Sequence, residues 1–140
     1  MSEHDAEQIL PWLVLLITVA VFFAVYIVVA WLIYRANEVL PAEHRKTESW
    51  QAFLLLIPLF NLVWNFILLG RVSRGMQSYF QSKNDASAGD CGAAIGLWFS
   101  ISAICCWIPF VSCIAYPAAL VLLIIYLVKI TGLRTRVLAG

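Results

Sequence analysis

The 140-residue chain is 63% hydrophobic and only 12% charged, with a mean hydropathy of +0.89. Soluble domains are roughly 45–50% apolar and about 25% charged, so this composition predicts a membrane protein. The net charge of +1 leaves no broad basic surface, which argues against nucleic acid as a partner. With so little polar sequence, we expect a single transmembrane domain over residues 1–140.

Four apolar runs predict four membrane-spanning helices, because about 18–20 apolar residues cross about 30 Å of hydrocarbon. The predicted spans are residues 11–34, 50–70, 92–108 and 110–129. Trp12 at one end of the first run and Trp31 with Tyr34 at the other have the separation of interfacial aromatic anchors.

A basic and partly apolar segment follows the second predicted span. Arg71 and Arg74 come directly after Gly70, and four apolar residues then recur at helical spacing, namely Val72, Met76, Tyr79 and Phe80. This stripe predicts a short helix, about 71–81, lying along the membrane surface, with a solvated loop as the alternative. Arg71, Arg74 and Lys83 form a weak candidate site for anionic lipid headgroups.

A polar linker, residues 82–91, divides the chain into two helical halves. The sequence after it is apolar for about forty residues, enough for two short spans, so we expect a hairpin that turns near Pro109. The predicted fold class is therefore all-α, an integral membrane four-helix bundle. It consists of two helical hairpins with a short interfacial helix after the second span.

The second predicted span contains a proline and two asparagines. On one helix Pro58, Asn61 and Asn65 share a face, and Pro58 would displace the carbonyl of Leu54 and kink the helix. An amide facing lipid would stay unpaired at a cost of several kcal/mol, so this face is expected to look inward. Two roles remain open: hydrogen bonds to other helices, worth about 0.6–2 kcal/mol each, or the wall of a wet cavity or small-molecule site.

Small residues on the last two predicted spans are candidate partners for that face. They are Gly92, Gly96 and Ser100 on the third span and Ser112, Ala115 and Ala119 on the fourth. Such runs let helix backbones approach closely and favour interhelical hydrogen bonds. We expect the last two helices to form a tight hairpin, with the second helix packed across it and the first outermost.

Motifs for catalysis or metal binding are not found in the sequence. His4 and His44 lie in polar segments, and the chain has no glycine-rich phosphate loop, nucleophile elbow or HExxH motif. Cys105 and Cys106 are adjacent, but no histidine or carboxylate lies near them in sequence to complete a site. We therefore expect no enzymatic activity, cofactor or metal. An enzyme acting on lipid or quinone through these two thiols is the remote alternative.

The basic residues predict an orientation in the membrane. We expect both termini to be cytoplasmic, because six of the nine Lys and Arg residues then lie inside and only Arg35, Arg45 and Lys46 lie outside, whereas the opposite orientation reverses this ratio. The first ten residues carry three acidic side chains and no Lys or Arg, which argues against a cleaved signal peptide.

The segment IPLFNLVWNFILLGRVSRGMQ resembles one found in small uncharacterised bacterial multi-spanning membrane proteins. The matching residues are Ile57, Pro58, Asn61 and Trp64, within about twenty residues of the chain. The resemblance implies a bacterial inner membrane and implies no activity. The Ile-Pro pair recurs at Ile108, an echo for which chance is a sufficient explanation.

These observations predict a small non-enzymatic subunit or accessory protein that associates with itself or with other membrane proteins, surrounded by membrane lipids. The alternative is a homo-oligomeric pore or small-molecule carrier in which Asn61 and Asn65 line a wet cavity.

Overall fold

The computed structural model of the protein describes residues 3–140, and every regular element in that range is a helix. The elements are α1 (Glu3–Glu38), the 3-10 helix η1 (Ser49–Leu56), α2 (Pro58–Ser82), the 3-10 turn η2 (Ala86–Ala88), α3 (Ala93–Cys105) and α4 (Pro109–Ala139). Three segments are long and apolar enough to cross a membrane, namely Glu3–Glu38, Ala86–Cys105 and Pro109–Ala139. The all-α class and the presence of helices able to span a membrane are thus confirmed. The four-helix bundle is not confirmed.

Helix α1 has 36 residues and is about 54 Å long at 1.5 Å per residue. It begins at Glu3 rather than at residue 11, so Pro11 lies inside the helix. Its buried residues all lie between Val29 and Asn37, and the first two-thirds of the helix is almost entirely exposed. Only the last turns of α1 therefore pack tightly against the rest of the protein.

The second predicted span is wrong, because the chain reverses within it. Ile57 has an extended backbone, with φ −85° and ψ 109°, and separates η1 from α2. Pro58 is the first residue of α2, where its missing N–H costs nothing and its fixed φ suits a helix. The expected kink inside a continuous helix is therefore replaced by a break between two helices.

The two arms on either side of Ile57 lie side by side. Trp64 Nε1–H donates to the backbone oxygen of Gln51 at 2.9 Å. On one straight helix these residues would be about 20 Å apart at 1.5 Å per residue. Residues 49–70 thus form a helical hairpin, called the first hairpin here, with its tip at Ile57.

The predicted interfacial helix is continuous with α2, and its apolar stripe is buried inside the protein. The stripe residues Val72, Met76, Tyr79 and Phe80 are 0–8% exposed. Connection 39–48 lies against this half of α2, with His44 Nδ1 and Ser78 Oγ 2.8 Å apart. The end of α4 lies against it as well, with the Arg136 guanidinium 4.9 Å from the Phe80 ring. The surface-lying helix is therefore wrong, because these two segments cover the stripe.

Helices α3 and α4 form the second hairpin, which turns at residues 106–108. Ile108 is extended, with φ −91° and ψ 116°, and Pro109 is the first residue of α4. The second helix of each hairpin thus begins with the same Ile-Pro geometry. Helix α4 has 31 residues and continues past Lys129 to Ala139, so the basic tail is helical.

Helices α2, α3 and α4 meet around the fully buried Tyr126. Its hydroxyl donates to the backbone oxygen of Leu69 at 3.2 Å and lies 3.3 Å from Ser73 Oγ. Its ring packs against Gly96, where a Cβ would be 3.2 Å from ring atom Cε2. The missing side chain of Gly96 therefore provides the space for the Tyr126 ring.

Connection 39–48 and the linker after α2 lie at the same end of the protein. The connection contacts α2 near Ser78, and the linker is tied to α4 by Asp85 with Arg136 and by Asp90 with Lys129 at 2.9 Å. We expected these two connections on opposite sides of the membrane. They lie at one end of the protein instead, because the first hairpin returns the chain to the end from which it started.

Candidate functional site

A cavity of about 500 Å³ lies between α1, the tip of the first hairpin and the second hairpin. Among residues 3–140, no charged side chain lines its wall, which is rich in aromatic rings, those of Phe22, Tyr26, Phe99, Trp107 and Tyr116. The side chains of Trp107 and Tyr116 are 64% and 65% exposed, so the cavity opens at the apolar outer surface. A molecule could therefore enter it from the lipid phase.

The cavity wall includes two buried amide side chains, those of Asn61 and Asn65. They are 3% and 2% exposed, and Asn65 Nδ2 donates to Asn61 Oδ1 at 2.5 Å, one helical turn away. Among residues 3–140, Asn61 Nδ2 and Asn65 Oδ1 have no hydrogen-bond partner. Neither atom is fully buried, and both residues line the cavity. The pair thus presents one unsatisfied donor group and one unsatisfied acceptor.

The reversal at Ile57 brings a helix terminus to the same wall. Pro58 lines the cavity and is the first residue of α2. The positive end of the α2 dipole is therefore close to the asparagine pair. This position favours a ligand whose polar atom is electron-rich, such as a carbonyl oxygen.

The predicted serine partners do not reach the asparagines. Ser100 Oγ donates to the backbone oxygen of Gly96 at 2.8 Å, and Ser112 Oγ donates to that of Pro109 at 2.7 Å. Each serine hydroxyl thus donates its hydrogen bond within its own helix, and the expectation of serine-to-asparagine contacts is wrong. The two asparagine side chains pair with each other instead.

The predicted close-packing residues have two different surroundings. Gly92 and Gly96 both pack against the Tyr126 ring, and Gly92 adopts the left-handed φ of 85° before α3. Ala115 and Ala119 are buried on α4, and Ala119 lines the cavity. The small residues of α3 therefore serve helix packing, whereas those of α4 also leave room for the cavity.

The aromatic wall was missed in the sequence reading. Phe22 and Tyr26 are one turn apart in the middle of the first apolar run, and Trp107 and Tyr116 flank the Ile-Pro turn of the second hairpin. Aromatic residues are expected at the ends of spans. The position of these four aromatic residues in the middle of apolar runs was therefore the sequence signal for the cavity wall.

The candidate headgroup residues do not converge on one point. Arg71 and Arg74 are exposed on α2, whereas the Lys83 ammonium lies 5.9 Å from the Tyr79 ring. All four cysteines are free thiols, and Cys106 lines the cavity. Within residues 3–140, no group of three or more His, Cys, Asp or Glu side chains could hold a metal ion.

Comparison with protein-family models, curated proteins and solved structures finds no match in any of the three. An apolar cavity with one amide donor and one amide acceptor fits an uncharged apolar molecule that carries a carbonyl or hydroxyl group.

Proposed function

We propose that the protein is a non-enzymatic membrane protein of the bacterial inner membrane that binds a small uncharged amphiphile inside the bilayer. The observation that carries this proposal is the pair of free polar atoms, Asn61 Nδ2 and Asn65 Oδ1, in an otherwise largely apolar cavity. Leaving such atoms without a partner costs about 1–3 kcal/mol each, and a ligand with a carbonyl or hydroxyl group removes that cost.

The size and polarity of the cavity support binding of a small molecule. Ligand sites are commonly 300–1,000 Å³ and mostly apolar, with a few polar groups that orient the ligand, and the cavity of about 500 Å³ falls in this range. In the binding mode that we propose, Asn61 Nδ2–H donates to a ligand carbonyl and Asn65 Oδ1 accepts from a ligand hydroxyl. We propose an uncharged ligand because, in the part of the chain that the structure describes, no Lys, Arg, Asp, Glu or His lines the wall.

A pore along the axis of a homo-oligomer has less support. Such a pore would need Asn61 and Asn65 on the outer surface of each subunit, and both are instead at most 3% exposed. A carrier that moves its ligand between the lipid phase and a partner is compatible with the same cavity.

The experiment uses the full-length protein in mild detergent, titrated with an uncharged fluorescent naphthalene ketone. The emission of this probe shifts when its carbonyl accepts a hydrogen bond. We expect saturable binding to the unaltered protein. The Asn61→Leu substitution should weaken binding roughly two- to tenfold, the equivalent of one hydrogen bond, and abolish the spectral shift.

Two further variants serve as controls. Ser112→Ala removes a hydroxyl from the second hairpin that bonds only its own helix, and it should bind like the unaltered protein. Ala103→Trp adds a large side chain to the cavity wall, leaves both asparagines in the sequence and should abolish binding. Equal binding by the unaltered protein and Ala103→Trp would contradict the proposal.

Association with a second copy or another membrane protein is a second candidate function, supported by the free face of α1. Ala20 and Ala24 are exposed and one turn apart, and such small residues let two helices pack closely in lipid. The neighbouring apolar residues of α1 contact little else in the described chain.

Light scattering in mild detergent tests this association. We expect a protein mass above the 15.7 kDa of one chain, or a co-purifying protein. Ala20→Ile with Ala24→Ile should reduce the mass to that of one chain, whereas Val21→Ile on the same helix should not. A single-chain mass for the unaltered protein would argue against association.

A further inference from the structure

The basic residues of the protein gather at one end. Three of the nine lie in or next to connection 39–48, three along the second half of α2 and its C-cap, and three at the end of α4. These segments touch: a Cβ on Gly75 would lie 2.9 Å from the backbone oxygen of His44 and 3.7 Å from the nitrogen of Lys46. The Arg136 guanidinium, in turn, lies 4.9 Å from the Phe80 ring.

The two ends of the protein differ in charge. Five acidic residues accompany the nine basic ones, and Asp85 and Asp90 are paired there with α4. The opposite end is the start of α1, whose charged side chains among the described residues are Glu3, Asp5 and Glu7. One end therefore has a net positive charge and the other a net negative charge.

The first hairpin is too short to cross a bilayer. The 3-10 helix η1 has 8 residues and is about 16 Å long at about 2 Å per residue. Among residues 3–140, the segments long and apolar enough to cross about 30 Å of hydrocarbon are Glu3–Glu38, Ala86–Cys105 and Pro109–Ala139, and neither η1 nor α2 is one of them. Both arms return to the basic end, because Trp64 pairs with Gln51 and Ser78 pairs with His44.

We infer that the first hairpin is re-entrant, that the chain crosses the membrane three times, and that the basic end faces the cytoplasm. The crossings are the three segments that are long and apolar enough to span, Glu3–Glu38, Ala86–Cys105 and Pro109–Ala139, so the start of α1 is outside and the end of α4 is inside. Lys and Arg residues are retained on the cytoplasmic side, and this arrangement places all nine there. The tip of the first hairpin lies beside the cavity, because Pro58, the residue after the extended Ile57, lines the cavity wall.

This inference depends on insertion in a membrane and not on ligand binding by the cavity. Failure of the ligand experiment would therefore leave it intact. The test places single cysteines in a full-length protein whose four native cysteines are replaced by alanine. The positions are Glu7→Cys at the start of α1, Lys46→Cys in the connection and Lys83→Cys after α2.

Intact cells and inverted membrane vesicles are treated with a membrane-impermeant maleimide. We expect Glu7→Cys to react in cells, and Lys46→Cys and Lys83→Cys to react only in inverted vesicles. Reaction of Lys46→Cys and Lys83→Cys from opposite sides would overturn the inference, as would reaction of Glu7→Cys from the same side as Lys83→Cys. A thiol that reacts only after detergent is added lies within the bilayer and also contradicts the placement.

A cross-link gives a second measurement on the same cysteine-free chain. His44→Cys combined with Ser78→Cys should form an intramolecular disulfide in membranes, because the native side chains are 2.8 Å apart. His44→Cys combined with Cys introduced at exposed Gln81, on the same helix, serves as the control and should react less. No disulfide in the first pair would contradict the return of α2 to the basic end.

Discussion

The ring of Tyr126 lies directly against Gly96. A Cβ at position 96 would be 3.2 Å from Tyr126 Cε2 and 3.1 Å from Leu69 Cβ, closer than most Cβ contacts in proteins. The packing of α2, α3 and α4 therefore depends on the absence of a side chain at position 96.

Gly96→Leu should destabilise the protein by about 1–3 kcal/mol, because the added side chain would force α2 and α4 away from α3. Gly132→Leu is the matched control, since nothing lies within 4 Å of a Cβ at that helical position. Unfolding in mixed micelles with increasing denaturing detergent measures both. Equal stability of the two variants would contradict the packing of Tyr126 against α3.

Gly75 and Gly70 give a second matched pair, on α2. Alanine in place of a helical glycine gains about 0.5–1 kcal/mol, and Gly70→Ala should show this gain because the nearest atom is Arg74 Nη2 at 4.0 Å. Gly75→Ala should instead lose about 1–3 kcal/mol, since its Cβ would meet the backbone oxygen of His44 at 2.9 Å. The same unfolding assay applies. A gain in both variants would mean that connection 39–48 does not cover α2.

Pro58 and Pro117 should respond in opposite ways to replacement by alanine. Pro58 begins α2, so Pro58→Ala should cost up to about 1 kcal/mol through the greater freedom of the unfolded chain. Pro117 lies inside α4, so Pro117→Ala should restore a helical hydrogen bond and stabilise the protein by up to about 3 kcal/mol. Thermal unfolding in detergent measures both. Clear stabilisation by Pro58→Ala would indicate one continuous helix through residue 58.

The pKa of Asp85 should be lower in the folded protein than its ordinary value. The Ser87 hydroxyl donates to its carboxylate, assisted by the Ser87 N–H and Arg136, and holds the pKa of Asp85 below its ordinary value of 3.8. Because the pKa is lower in the folded state, the resulting stability is fully present above pH 3.8 and is lost as the pH falls through the folded pKa.

Carboxyl NMR titration measures the pKa of Asp85. Ser87→Ala and Arg136→Gln should each raise this pKa, because each removes a group that stabilises the carboxylate, and the Ser87 hydroxyl is the largest single cause. An unchanged pKa in Ser87→Ala would contradict the hydrogen bond from this hydroxyl.

Composition was sufficient to predict helices that cross a membrane. Long apolar runs cannot leave backbone N–H and C=O groups unpaired in hydrocarbon, and a helix satisfies these groups within its own segment. The inward direction of Asn61 and Asn65 could be argued in the same way, because an unpaired amide in lipid costs several kcal/mol. Both arguments use only the energy of transferring polar groups from water to lipid.

The path of residues 49–70 could not be derived from that energy. An Ile-Pro pair in an apolar run is compatible with a kink in one helix and with the start of a new one. The contact of Trp64 with Gln51 and that of Gly75 with His44 select the second possibility. These contacts join residues far apart in the chain, and they bring the aromatic rings of α1 and the second hairpin around the asparagine pair. The cavity therefore exists only in the folded arrangement, whereas the helices that form its wall could be recognised from their residues.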